Sequence, residues 1–387
     1  MSRTSVRTIL PLAVITGTSM LTADLYLPAV PRLQHALGID VTLAQATVAI
    51  FFAGLALSQL LWAELLRQLG PRQSVVIGVS VLALASAGAA LAPNINVLLT
   101  MRLLQGLAAG VATVVAPSVI RATLHESDAV RGIAAISMIE SLVPAAGPVL
   151  GAALLPSIDW RGLFWILAVL GVLALPFIVR VTPVALPGLD HAVDASYRRI
   201  IANRKYRRLA LSHALSLGGL LSFVASAPQL MVNALALPIS AFAALQVMGV
   251  TAFMIMASQS GRISQQLGAA RAVLLGAWLQ VVLCAALLLA GVWAKVSFVG
   301  IVVFWCGYCG AMAVRGPVAF SEALALPPSQ MGRASAMLVL ALLLSSALST
   351  QLVAPFMDGR SVVPLAATVL VQVVLSLVLV IPYPRNA

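Results

Sequence analysis

Charged residues are scarce in this sequence. Asp, Glu, Lys and Arg make up 9% of its 387 residues, where a soluble domain carries about 25%. With 61% apolar residues and a mean hydropathy of +1.05, that shortage excludes a soluble globular domain. An integral membrane protein of the helical kind is left. Lysine is nearly missing, with Lys205 and Lys295 alone. No Gly-x-x-x-x-Gly-Lys-Ser/Thr phosphate loop is present, which argues against ATP drive. Cysteine is limited to Cys284, Cys306 and Cys309, all within apolar runs. Cys306-Gly-Tyr-Cys309 has redox or metal spacing, but no second pair and no nearby His joins it. Small residues at a helix–helix contact are the plainer reading. His35, His125, His191 and His213 are scattered near helix ends and form no metal set. A catalytic His/Asp/Ser constellation and an appended domain are missing too, which sets aside a membrane-embedded enzyme or receptor.

What the chain does contain is a series of apolar runs, at about 9–30, 43–66, 74–93, 97–120, 131–155, 161–181, 207–232, 240–260, 271–291, 296–320, 333–355 and 362–382. Each is close to the ~17–25 residues that a spanning helix needs. The spacing predicts an all-α membrane protein of twelve transmembrane helices. An N-terminal bundle at 1–181, a polar central loop at 182–206 and a C-terminal bundle at 207–387 divide them six and six. The formal charge of +12 does not indicate nucleic acid, because the arginines lie between apolar runs and not on an amphipathic face. One side collects Arg3, Arg7, Arg67, Arg72, Arg121, Arg131, Arg180, the central basic cluster, Arg262, Arg271, Arg333 and Arg385. The other has Arg32, Arg161, Lys295 and Arg360. The positive-inside rule then places both termini in the cytoplasm. The first run is too long for a signal peptide and is not followed by a small-residue cleavage site, so it is expected to remain as a helix. A parallel repeat joins the halves. Glu64-Leu-Leu-Arg-Gln-Leu-Gly70 aligns with Arg262-Ile-Ser-Gln-Gln-Leu-Gly268 at an offset of 198 residues.

Charges inside apolar runs carry the functional reading. Asp24 lies about 24 Å along the first helix at ~1.5 Å per residue, within the bilayer. It either does work there or is a neutral acid that only packs the helix. The fourth run has Arg102, Gly106, Gly110 and Thr113 on one face. Gly106-x-x-x-Gly110 permits close backbone approach, and Arg102 needs an acidic, carbonyl or substrate partner. The fifth run aligns Glu140, Pro144, Gly147, Pro148 and Gly151. This is expected to be a kinked, close-packed stripe that rocks at the interface between halves, or a passive kink. In the tenth run Arg315 either snorkels to the cytoplasmic edge or pairs with Glu140 and exchanges to an anionic cargo.

Asp24-Leu-Tyr26-Leu-Pro-Ala-Val-Pro31, Arg102-Leu-Leu-Gln-Gly106, Pro144-Ala-Ala-Gly-Pro-Val-Leu-Gly151 and Asp159-Trp-Arg-Gly-Leu-Phe164 are motifs that resemble the major facilitator superfamily. The nearest type is the twelve-helix drug:proton antiporters of the Bcr/CflA group. The resemblance implies two six-helix bundles and alternating access in a bacterial inner membrane, driven by the proton gradient without a cofactor. It implies Asp24 as the proton-coupling residue, and Tyr26, Arg102, Glu140 and Arg315 around a substrate cavity. Its partners are protons, a small-molecule substrate and the lipid bilayer, and the protein acts as a monomer. An endogenous anionic metabolite such as a siderophore is the alternative cargo. One motif departs. Where the family's loop between the second and third helices carries Asp-Arg, this chain has Arg67-Gln68 followed by Gly70, Pro71 and Arg72. Glu64 paired with Arg121 is the expected replacement for that cytoplasmic gate.

Overall fold

The structure is a computed structural model that describes residues 3–183, 197–293, 296–357 and 361–381. Lys295, Arg360, Arg385, His191 and Ser196 lie outside the described residues. The chain divides into two compact units, Met1–Ala192 and Val193–Ala387.

The first unit contains α1 (Arg3–Asp24), a 3-10 turn (Leu27–Ala29), α2 (Val30–Leu37), α3 (Val41–Ala90), α4 (Ile95–Thr123) and α5 (Glu126–Val181). The second contains a short α6 (Tyr197–Ala202), α7 (Arg204–Gln229), a π turn (Leu230–Ala234) and α8 (Ile239–Leu267). It continues with α9 (Ala269–Trp293), α10 (Phe298–Ala323), α11 (Pro328–Val353) and α12 (Val363–Val380). Polar residues start several helices by taking the free backbone donors of the first turn. The Leu43 N–H donates to Asp40 (2.7 Å), Val97 to Asn94 (3.1 Å), Tyr206 to Asn203 (3.0 Å) and Gly300 to Ser297 (3.2 Å).

Ten helices among the described residues are long and apolar enough to cross a membrane. The runs expected at 43–66 and 74–93 both fall in α3, and those at 131–155 and 161–181 both fall in α5. Each long helix is interrupted by one non-helical residue, Gly70 (φ 75°, ψ 170°) in α3 and Asp159 (φ 57°, ψ 175°) in α5. Gly268 (φ 82°, ψ 149°) joins α8 to α9 in nearly the same conformation as Gly70. The two ends of the sequence repeat therefore share a backbone as well as a motif. Glycine adopts this region without a Cβ clash; Asp159 does not have that freedom.

The interior of the first unit is small and tightly packed, with Leu12, Trp62, Val75, Val111, Val115 and Ile178 almost wholly covered. Large apolar side chains also point outward, among them Leu84, Phe177, Val282 and Leu352. An apolar exterior around helices whose backbone bonds are internally satisfied is what a lipid environment selects. The protein is a multi-pass membrane protein.

Candidate functional site

The first apolar run does not form one helix. α1 ends at Asp24, and the chain passes through Tyr26 into the 3-10 turn and α2. Pro28 and Pro31, at the starts of those two elements, have no N–H to continue the ladder. Asp24 is half-buried, with no hydrogen bond or ion pair among the described residues.

The seat for this break is the glycine stripe of α5. A Cβ placed on Gly147 would sit 2.6 Å from the Asp24 Cβ and 3.3 Å from the Leu25 nitrogen. One on Gly151 would collide with the Leu25 carbonyl and lie 3.1 Å from Pro28 Cγ. Further down, a Cβ on Gly17 would meet Ile139 at 3.6 Å. α1 and α5 therefore run parallel, and within its own unit the stripe packs on α1. Pro144 and Pro148 remain within helical backbone; the interruption of α5 falls at Asp159.

Arg102 is fully buried, and its partners are neutral. Its Nε donates to the Thr47 carbonyl (3.0 Å), and Nη1 to the Thr22 carbonyl (3.1 Å) and to Gln105 Oε1 (3.0 Å). Gln105 is itself fixed by donation to Ser86 Oγ at 2.8 Å. The guanidinium lies over the rings of Phe51 (4.4 Å), Tyr26 (4.7 Å) and Phe164 (5.9 Å). Tyr26, expected at a substrate cavity, is a wall of this cage, with no exposed surface and its hydroxyl 2.7 Å from Thr47 Oγ1. Thr22 and Asp24 are two residues apart, so at 3.6 residues per turn they point about 200° apart. Arg102 and Asp24 therefore flank α1 from opposite sides.

Gly106 and Gly110 bring α4 against α3. A Cβ on Gly106 would strike the Phe51 carbonyl and come within 2.9 Å of the Leu55 nitrogen, and one on Gly110 would lie 2.6 Å from Ser58 Cβ. On α3, Gly54 answers with 2.5 Å to the Leu103 carbonyl. This mutual glycine contact holds Phe51 and Thr47 against Arg102.

The loop residues have local partners. Glu64 pairs with Arg67 and accepts from Gln68 on the same helix; the Arg67 Nε distance is 3.2 Å. The expected partner, Arg121, is exposed at the end of α4, and a residue three positions away wins by proximity. Arg72 donates to the Thr182 carbonyl at 3.0 Å, tying the chain after Gly70 to the end of α5. On either side of the Asp159 interruption, Leu155 accepts at its carbonyl from Arg32 of α2 (2.8 Å), and Arg161 donates to the Ala92 carbonyl just past the end of α3 (3.1 Å).

In the second unit Arg315 is fully buried, which excludes snorkelling. Its guanidinium donates to Ser212 Oγ (2.6 Å, α7) and Gln280 Oε1 (3.0 Å, α9). Ser216 also donates to Gln280 Oε1 (2.8 Å), and Ser212 and Ser376 bond each other across α7 and α12. These are neutral groups of its own unit; the expected partner, Glu140, belongs to the other unit. Gly276 gives α9 the room, since a Cβ there would lie 2.7 Å from Arg315 Cβ. Sequence reasoning named a carbonyl as one possible partner of Arg102, which the Thr47 and Thr22 carbonyls supply, but missed the side-chain acceptors around both arginines. Gln105 and Gln280, each an amide inside an apolar run, were the available signals. Among the described residues no group of three His, Cys, Asp or Glu could hold a metal.

Comparison with known proteins bears on the family and the fold. The chain is 29% identical over 232 residues to "Multidrug resistance protein MdtM" of Salmonella typhimurium, covering 59% of this chain and 56% of that protein. It is 26% identical over 212 residues to "Multidrug resistance protein MdtL" of Shigella dysenteriae, covering 54% of each. The chain thus spans about half the length of the curated relatives it matches. Among solved structures, a bacterial homologue of the human lysosomal transporter Spinster aligns with a TM-score of 0.77 at 12% identity, covering 98% of this chain and 96% of that one. A D-xylose-proton symporter aligns with a TM-score of 0.75 at 14% identity over 97% of both chains. These structural likenesses concern the fold. The sequence itself matches one family profile over residues 12–350, and on that match and this fold the chain belongs to the Major Facilitator Superfamily, a family of transporters.

Proposed function

We propose that this protein is a proton-driven secondary exporter of small molecules, a drug:proton antiporter working by alternating access in a bacterial inner membrane. The observation that carries the reading is Asp24, an acidic group without a partner among the described residues, at the broken end of a membrane helix. The names of the relatives over their matched halves support it. Protonated from outside and deprotonated within, Asp24 would couple export to proton inflow. Each charge moved through the membrane potential supplies ~2.3 kcal/mol per 100 mV. The proton gradient is the drive, no cofactor is proposed, and the protein would act as a monomer and not as an enzyme.

The topology we propose has twelve spans. α3 and α5, at 50 and 56 residues, are ~75 Å or more long at 1.5 Å per residue, against a hydrocarbon core of ~30 Å. Gly70 and Asp159 would be the points at which each turns back. Arg67, Arg72, Arg121, Arg131 and Arg180 then share the cytoplasmic side with both termini, and Arg32 and Arg161 lie outside.

The alternative of an anionic endogenous cargo rested on Arg315 reaching substrate. Its two outer nitrogens are engaged by Ser212 and Gln280, so that reading has no support of its own. The test uses inside-out vesicles loaded with full-length protein and ethidium as probe. Asp24→Asn is expected to abolish proton-driven accumulation. Accumulation equal to wild type by this variant removes Asp24 from the mechanism.

A further inference from the structure

Glu140 is the second acidic group of the α1–α5 seam, and none of the contacts described above uses it. It lies on the stripe of Gly147 and Gly151, since steps of seven and eleven residues return to one helix face. The seam's register is fixed at Gly17 against Ile139 and at Asp24 against Gly147. Glu140 is therefore level with Gly17 and Thr18, and it lies seven residues below the seat of Asp24. At 1.5 Å per residue that is about 10 Å along the helix pair, towards the N-terminal ends of both.

Both carboxyl groups are half-buried, and neither has a hydrogen bond or ion pair among the described residues. The arginines of the interior differ, being fully covered and tied to neutral acceptors. Several charged and titratable groups on the packed elements, among those whose side chains are described, are committed or exposed. Arg102 and Tyr26 close their cage on the far side of α1. Arg121 and Arg131 are exposed near the junction of α4 and α5, and Glu64, Arg67 and Arg72 of α3 have the partners described above. An ionisable side chain inside an apolar helix is costly, and chains of such acids are the usual material of proton relays.

Resting on the proposed coupling role of Asp24, we infer that Glu140 is a second proton-binding site of the export cycle, taking the proton that Asp24 releases and passing it to the cytoplasmic side. The two groups are too far apart for a direct hydrogen bond, so water along the seam carries the proton between them. The O–H bond of the Asp24 carboxyl breaks as one forms on the Glu140 carboxylate. Glu140 then loses that proton to cytoplasmic water. No electron changes hands, and each carboxyl regains its starting charge once per cycle. The inner position of Glu140 gives the proton a stop on the exit side after the outer face has closed.

The experiment uses full-length protein in proteoliposomes with ethidium as probe, and compares proton-driven accumulation with ethidium–ethidium exchange, which moves no net proton. Glu140→Gln is expected to lower accumulation about tenfold or more while exchange falls far less. Glu140→Asp, which keeps a titratable carboxyl, is expected to restore most of the drive. Wild-type accumulation by Glu140→Gln from about pH 6 to about pH 8 overturns the inference while leaving Asp24 intact. Loss of exchange as complete as the loss of accumulation, in both variants, also overturns it, because that is the mark of a packing residue. If accumulation by the wild type itself does not depend on Asp24, the export reading and this inference fall together.

Discussion

Arg102 shows how a cation is kept inside an apolar bundle without an acid. Two backbone carbonyls, one amide oxygen and three aromatic faces surround it. Both carbonyl and amide contacts match the planar fork of a guanidinium, and the rings match its flat face. A lysine would keep the charge but could neither reach two helices at once nor stack. Arg102→Lys is therefore expected to lower stability by about 2 kcal/mol or more, the scale of a lost hydrogen bond to a charged group. Thermal unfolding of the purified variant is the measurement, and a melting temperature equal to wild type contradicts the cage. Arg315 has fewer supports, a serine and a glutamine, and its Nε is without a partner among the described residues. Its position was legible in the sequence; its partners were not, because Ser212 and Gln280 lie on other helices.

At the scale of elements, glycine decides where helices touch. The α5 stripe was visible as a motif, but a stripe says only that something packs closely, not what. The structure supplies the answer in the Asp24–Leu25 backbone. Gly147→Leu would drive four carbons into that segment, at a cost of about 1–3 kcal/mol for overpacking if the fold yields at all. It is expected to lose proton-driven ethidium export while Gly147→Ala loses less; equal export by Gly147→Leu and wild type would reject this packing. Asp159 is the reverse case, a side chain where glycine belongs. Its φ of 57° with ψ of 175° lies in a region nearly restricted to glycine, worth about 1–3 kcal/mol of strain. Asp159→Gly is expected to raise the melting temperature, and a drop would show that the Asp159 side chain contributes more than its backbone costs.

For the whole molecule, the twelve-span topology is open to single-cysteine labelling in a background without Cys284, Cys306 and Cys309. Cysteines at Ser196 and Gln266 are expected to react from the cytoplasm, and one at Lys295 from outside. Labelling of the Lys295 site from the cytoplasm would reject the topology. Composition alone determined that this is a helical membrane protein, because 61% apolar and 9% charged residues leave no other solvent for such a surface. Hydrophobic run length placed the apolar segments, but the first run breaks after Asp24 and two pairs of runs fall within α3 and α5. The Gln-Leu-Gly repeat marked Gly70 and Gly268, which share a backbone conformation. Their place inside apolar runs singled out Asp24, Arg102, Glu140 and Arg315, since a charge there is conspicuous at any level of description. Pairing was decided only by the tertiary structure. Run length fixes how far a helix reaches but not how it is rotated or which helix lies beside it. A rotation of about 100° per residue therefore put Arg102 on the far side of α1 from Asp24, and close glycine contacts put Glu140 on the same seam as Asp24.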